Sequence, residues 1–221
     1  MSNGLNFVGY IVRPDYLLVR RRSVRKLKAR MAQFEHRLVR QAEGCTVFRH
    51  DAETLEQLRA TWASYRAHCK MANTFRLRQS LLSRFSWVNE FFEVEEGLLV
   101  ERWRVPAGFR TFKEQYRFFA NRCTAGILFF QVGSFIECYD HQAEKAMSLL
   151  NLKGLKGGRG FGRRCGFSMR LMASVRRRLL QRGLPVTVVR EQGDRPWLGR
   201  VKPRYVAERW RPTCESSMKS V

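Results

Sequence analysis

The sequence predicts an α+β protein: an amino-terminal helical bundle over residues 1–85, a linker over 86–110 and a mixed α/β module over 111–212. Three observations carry this. Apolar residues recur at spacings of 3 and 4 through the first third of the chain, the period of helices with one buried face. After residue 110, strand-like runs alternate with helix-like ones. Between them the composition shifts to an acidic cluster and the break Pro106-Ala-Gly108. A hydrophobic content of 44% over 221 residues suffices for one large core or two modest ones.

Asn6-Phe-Val-Gly-Tyr-Ile-Val12 reads as a short apolar strand, stopped by a turn at Arg13-Pro-Asp15. A helix follows in which Val24, Leu27, Met31, Phe34 and Leu38 draw one apolar stripe, with Ser23 as candidate amino-terminal cap. Its other face is basic: residues 13–40 hold ten Lys and Arg against two acids, Asp15 and Glu35. A solvated helix face normally mixes signs, so Arg20, Arg21, Arg22, Arg25 and Lys28 are read as phosphate contacts. Asp51 begins a second helix that turns Leu55, Leu58, Trp62, Tyr65 and Cys69 inward. Asn73 caps a third, carrying Phe75, Leu81, Leu82 and Phe85 inward and Arg76, Arg78 and Arg84 outward. At these spacings Trp62 and Tyr65 are core residues rather than base-stacking ones.

Glu90, Glu93, Glu95 and Glu96 form the one acidic cluster, read as a connector that repels nucleic acid or pairs with a basic neighbour. Thr111 with Glu114 makes a capping box, opening a helix with Tyr116, Phe118 and Phe119. Ile127–Val132 reads as a strand covered on both faces. Gly133 breaks it, and Phe135 and Glu137, two positions apart, share one side of the extended chain that follows. A helix then runs from Asp140 to about Leu150. Residues 153–164 carry five glycines and no acid, a flexible basic loop that offers Lys153, Lys156, Arg159, Arg163 and Arg164 to a duplex. The loop lacks the Gly-Lys-Ser/Thr ending of a phosphate loop, so no nucleotide cofactor is expected. Ser168 caps a helix that Gly183 ends, Pro185–Arg190 and Arg204–Trp210 are two more strands, and residues 213–221 read as a disordered tail.

The formal charge is +23, which makes a polyanion the leading partner and nucleic acid the first candidate. No apolar run reaches bilayer length and no basic amphipathic helix stands apart from the core pattern, so no membrane partner is expected. The first twelve residues lack a signal-peptide pattern, so the expected location is cytoplasmic. Six scattered cysteines without a Cys-x-x-Cys pair read as free, mostly buried thiols. Neither Cys45 with His50 nor His68 with Cys69 has zinc-site spacing, so no metal is expected. No catalytic residues and no small-molecule substrate are assigned.

Gly133-Ser-Phe-Ile-Glu137 resembles the Gly-Asp-Phe-Tyr-Glu segment of the MutS mismatch-recognition domain, with Ser134 and Ile136 departing from it. The neighbours keep the family's order: Thr111–Tyr116 resembles its opening helix, and Asp140–Ala146 with Leu149-Leu150 its next one. Cys165-Gly-Phe167, Val186–Gln192 and Lys202–Val206 follow. The resemblance implies that Phe135 stacks on a mispaired or unpaired base from the minor groove and that Glu137 hydrogen-bonds that base. Alone, the pair reads as a core phenylalanine and a solvated glutamate; the ordered matches around it favour the wedge.

Phe7-Val-Gly-Tyr10, the proline turn and the basic helix resemble the end of the palm and the thumb of retron, diversity-generating and group II intron reverse transcriptases, over about residues 4–85. This implies a helical bundle that grips a template–primer duplex, and a chain that is the carboxy-terminal piece of such an enzyme. No Tyr-x-Asp-Asp turn or other paired-Asp motif is present to hold two metal ions, so polymerisation is not expected of this chain alone. The expected partners are a DNA duplex or an RNA–DNA hybrid, with a separate reverse transcriptase palm subunit as a further one. Two alternatives stay open: a structural subunit that completes a split reverse transcriptase, and a non-specific basic RNA-binding module.

Overall fold

A computed structural model describes residues 5–7, 10–106, 108–193 and 201–213. Its elements in chain order begin with β1 (Leu5–Phe7), β2 (Tyr10–Val12), β3 (Leu17–Val19) and α1 (Arg21–Leu38). Next come β4 (Val39–Ala42), β5 (Cys45–Arg49), α2 (Ala52–His68), α3 (Phe75–Arg84), β6 (Phe92–Glu95) and β7 (Leu98–Glu101). The rest are α4 (Phe112–Arg122), β8 (Ile127–Val132), β9 (Phe135–Tyr139), α5 (Asp140–Leu150), β10 (Leu155–Lys156), β11 (Arg163–Ser168), α6 (Met172–Gln181), β12 (Val186–Glu191) and β13 (Arg204–Pro212). The chain is α+β, as its patterns predict. It divides into two compact units, Met1–Val39 with Asp51–Arg102, and Arg40–His50 with Trp103–Val221. The tail expected at 213–221 lies, past Thr213, outside the described residues.

In the first unit, β1, β2 and β3 form an antiparallel sheet. The single strand expected across 6–12 is two strands, Leu5–Phe7 and Tyr10–Val12, paired antiparallel with Leu5 opposite Val12. Helix α1 starts before the expected cap Ser23: Arg20 is the N-cap and makes no side-chain cap, while Leu27, Met31, Phe34 and Leu38 are buried as their spacing requires. Trp62 is core and its Nε1 donates to Gly97 O at 2.9 Å. In α3, Leu81 is buried but Phe75 is 58% exposed, against expectation. Phe75 precedes Leu81 by six positions, which places it well around the helix from the buried stripe.

Residues 86–102, expected to be linker, are folded. A 3-10 turn at Ser86–Glu90 leads into the β6–β7 hairpin, and Trp87, Val88, Phe91, Phe92 and Leu99 are buried. The glutamates Glu93, Glu95 and Glu96 occupy the solvent side, and Glu93 pairs with Arg102 at 3.4 Å. Their charge masks an aromatic core strip when the segment is read by composition.

The second unit is built on an eight-stranded sheet of order β10-β11-β9-β8-β12-β13-β5-β4. Strand β8 is antiparallel to β9 and parallel to β12, and β13 joins β12 to the β4–β5 hairpin. That hairpin comes from within the first half of the sequence, between α1 and α2. Alternation along the strands makes two cores, one on each face. Ile127, Phe129, Ile136, Cys138, Cys165, Phe167, Val186 and Val188 pack with α5 and α6 residues. Leu128, Phe130, Tyr139 and Val189 pack with Tyr116 and Phe119 of α4, Trp103 and Phe161. Cys45, Cys69, Cys123, Cys138 and Cys165 are buried free thiols, and Cys214 lies outside the described residues. No described helix is long and apolar enough to cross a membrane.

His50 ends the hairpin, donating its N–H to Ala207 O at 3.0 Å. Burial first, and then the Arg209 charge, push its pKa down to about 3. The unfolded chain therefore binds this proton near pH 6.5 while the folded one does not, and stability is lost as pH falls from about 6.5 towards 3. Replacing His50 with Gln is expected to flatten urea midpoints across that window. Wild-type and variant midpoints falling in parallel would contradict it.

Candidate nucleic-acid interface

The Phe-x-Glu pair sits on β9 immediately after a two-residue hairpin loop, Gly133–Ser134, with Val132 opposite Phe135. Gly133 has φ +59, a left-handed conformation that the first position of such a loop demands and that favours glycine. The loop is tied down on several sides. Gly133 N–H donates to Glu191 Oε1 at 3.3 Å, Gln131 Nε2 donates to Gly133 O at 3.1 Å, and Met169 N–H donates to Ser134 O at 3.0 Å. Glu191 is itself held by Arg204, whose Nη2 lies 2.5 Å from Oε1. Arg204 is 4% exposed and fully engaged: Nε donates to Gln131 O at 2.9 Å and Nη1 to Gln115 Oε1 at 2.7 Å. One buried guanidinium thus links α4, β8, β12 and β13 directly behind the loop.

Phe135 is 53% exposed, so it is not a core residue. Ile136 and Cys138 between and beyond the pair are buried, which sends Phe135 and Glu137 to the α4 face of the sheet. Glu137 is tethered rather than freely solvated: it accepts the Tyr139 hydroxyl on Oε2, and Arg164 Nη1 lies 4.0 Å from Oε1. Burial, followed by the bond to Glu137, holds the Tyr139 phenol above its ordinary pKa, so it stays a donor. Gly166 lies opposite Glu137 on β11. A side chain there would come within 2.6 Å of Ile136 O and 3.4 Å of Glu137 Cγ, so glycine keeps the strand beside the carboxylate clear.

Of the basic residues assigned from sequence in this unit, two share the face of Phe135 and Glu137. Arg164 pairs in register with Tyr139, and the Arg159 guanidinium lies 4.6 Å above the Phe112 ring. Arg163 and Lys156 pair with each other one position off, on the α5 side, where Arg163 reaches Glu144 at 3.7 Å. Lys153 is exposed before β10. The expectation of a flexible loop at 153–164 is corrected. Phe161 is buried and stacks on Tyr139 at 4.2 Å, Gly157 N–H donates to Gly162 O at 3.0 Å, and Gly162 N–H donates to Asp140 Oδ1 at 2.9 Å. Its glycines serve a tight turn around one aromatic anchor. In the first unit Arg21, Arg22 and Arg25 are exposed and Arg20 and Lys28 half-buried at the start of α1. No acid lies in that first turn, so cations crowd the positive end of the helix dipole, an arrangement that an anion would relieve.

Sequence reasoning missed Gln115, Glu191 and Arg204 as the support of the loop. Lys202-Pro-Arg-Tyr-Val206 reads only as a strand, and nothing in the sequence says that its arginine points inward. The capping box at α4 is present as predicted, with Glu114 N–H donating to Thr111 Oγ1 at 3.1 Å and Thr111 N–H to Glu114 Oε2 at 3.3 Å. It fixes the start of the helix that delivers Gln115 and Tyr116, whose hydroxyl accepts Tyr139 N–H at 3.0 Å.

The family model for MutS domain I matches residues 110–211, from the residue before the capping box to the penultimate residue of the last strand. The first unit and the β4–β5 hairpin lie outside the match. No curated protein matches the chain.

Proposed function

We propose that the second unit binds nucleic-acid duplexes and discriminates mispaired or bulged ones, by setting Phe135 against a base that can leave its stack at low cost. The observation that carries this is a half-exposed aromatic ring one residue past a loop that is pinned by a buried ion pair. An exposed apolar ring on so well-supported a loop is poised for a partner. Glu137 opposes ordinary duplexes, since a carboxylate near phosphates repels them, and Arg164 and Tyr139 hold it ready to accept from a displaced base. The chain acts by binding rather than catalysis, in the cytosol. The duplex is DNA or an RNA–DNA hybrid.

For the first unit we propose the thumb-like duplex grip that its sequence resembles, with the basic start of α1 on the phosphates; this would place the chain beside a reverse transcriptase palm on a separate polypeptide. Competition of matched against mismatched duplex, DNA and hybrid, tests the proposal for the second unit. Equal affinity for matched and mismatched forms would leave a general polyanion binder of the RNA-module kind. Binding should fall steeply with salt, and Arg20, Arg21 and Arg22 changed together to Ala should reduce the log–log slope by about 0.9 for each phosphate no longer neutralised. A flat plot for the wild type would favour the structural-subunit alternative.

A further inference from the structure

The corner where α2 gives way to α3 carries a separate site within the first unit. A cleft of about 430 Å³ opens there, lined by Arg66, Lys70, Asn73, Thr74, Phe75 and Arg78 among others, a volume that suits a nucleotide-sized ligand. It holds three cations and no acid. Among the described residues no carboxylate oxygen comes within 4.0 Å of Arg66, Lys70 or Arg78. The two arginines converge: a Cβ placed on Gly97 would collide with Arg78 Nη1 and lie 3.3 Å from Arg66 Nε. Arg78 Nε is buried without a hydrogen-bond partner.

Arg66 and Lys70 at the end of α2 suit the negative pole of that helix. The amino end of α3 has no such explanation. Its first turn holds no acid, and its N-cap Thr74 is 9% exposed with a hydroxyl that caps nothing and makes no hydrogen bond among the described residues. Phe75 N–H reaches Asn73 Oδ1 at 3.5 Å; the helix N–H groups after it, the unbonded Thr74 hydroxyl and two converging guanidinium groups ask for the same partner, an anion with several acceptor oxygens. Phe75, on the same cleft, is 58% exposed, and an aromatic ring beside a cationic pocket is the pairing that holds a base next to its phosphate.

We propose that this cleft binds a phosphate of a nucleic-acid strand, with Arg66, Arg78, Thr74 and the α3 amino end on the phosphate and Phe75 against the adjoining base. The site stands on its own residues and does not depend on mismatch sensing by the second unit. Amide-resolved NMR of the full chain tests it, with inorganic phosphate and a short 5′-phosphorylated oligothymidylate titrated separately at constant ionic strength. The amides of Phe75, Arg76 and Leu77 are expected to shift saturably with both, the oligonucleotide saturating at a concentration about tenfold lower because the base adds its stack. Shifts no larger than those from sodium chloride would overturn the site. Saturation by phosphate with no gain from the oligonucleotide would overturn its assignment to a strand. Arg78→Gln should weaken the phosphate titration about tenfold, the worth of one charge-assisted hydrogen bond. Thr74→Val, which keeps the shape of a side chain that caps nothing, should weaken it several-fold; wild-type binding by both variants would overturn the proposal.

Discussion

Arg204→Ala is expected to destabilise the second unit by about 3–5 kcal/mol, the usual cost of removing one partner from a buried ion pair. The guanidinium is 4% exposed and Glu191, 12% exposed, is its carboxylate. Losing it leaves that charge, among the described residues, with Lys202 at 3.4 Å and one backbone N–H, and removes the guanidinium donor from Gln131 O and Gln115 Oε1. The cation also sits 4.9 Å from the Phe130 ring centroid and 5.2 Å from that of Phe112, so packing is lost with the charge. Glu191→Gln keeps the shape and an acceptor for Gly133 N–H, and should cost much less. Urea unfolding followed by tryptophan fluorescence and far-ultraviolet circular dichroism reads both. An Arg204→Ala loss below about 1 kcal/mol, the level of an exposed pair, would show that the network does not hold the loop.

How much of this could be read beforehand depended on where each signal lives. Period-2 and period-3.6 patterns are local, and they located α1, α2, α4, α5, β8, β12 and β13 to within a few residues. The Thr111/Glu114 box and the Gly133 break were legible because each is a short-range requirement of the backbone. Three features failed for one shared reason, that the deciding partner is distant in sequence. Cys45-Thr-Val-Phe-Arg49 becomes an interior strand between β4, just before it, and β13, more than 150 residues on, and no local pattern names that distant partner. Residues 86–102 looked like a connector because exposed glutamates follow directly on Phe91 and Phe92, and the side chain bonded into that hairpin, Trp62 to Gly97 O, lies 35 residues back. At Arg204, period 2 gives a side to the side chain but cannot say that Glu191 and Gln115 wait there. The Phe-x-Glu pair lay between these cases: the shared side followed from spacing, whereas the exposure of Phe135 needed the sheet's two cores to be seen.

Phe135→Ala is expected to lower the preference for mispaired over matched duplex while leaving matched binding nearly unchanged. A ring 53% exposed contributes little to folding, so the variant should remain folded. Loss of one base–aromatic stack is worth about 1–3 kcal/mol, or roughly one to two powers of ten in affinity for the mispaired form. Glu137→Ala should act with the opposite sign on the matched form. It removes a charge that repels phosphates and frees Arg164, 4.0 Å away, to meet them, so matched binding strengthens and the preference narrows from the other side. Tyr139 loses its acceptor in that variant, and Tyr139→Phe separates this effect: it should leave matched affinity near wild type, because it deletes a hydroxyl and no charge. Competition titrations with matched and single-mismatch oligonucleotides, on variants checked for folding by circular dichroism, read the signs together. If Phe135→Ala keeps the wild-type preference, the exposed ring has another partner and the wedge is not the sensing element. If Glu137→Ala weakens both duplexes equally, the carboxylate orders the Arg164 and Tyr139 surface instead of selecting among substrates.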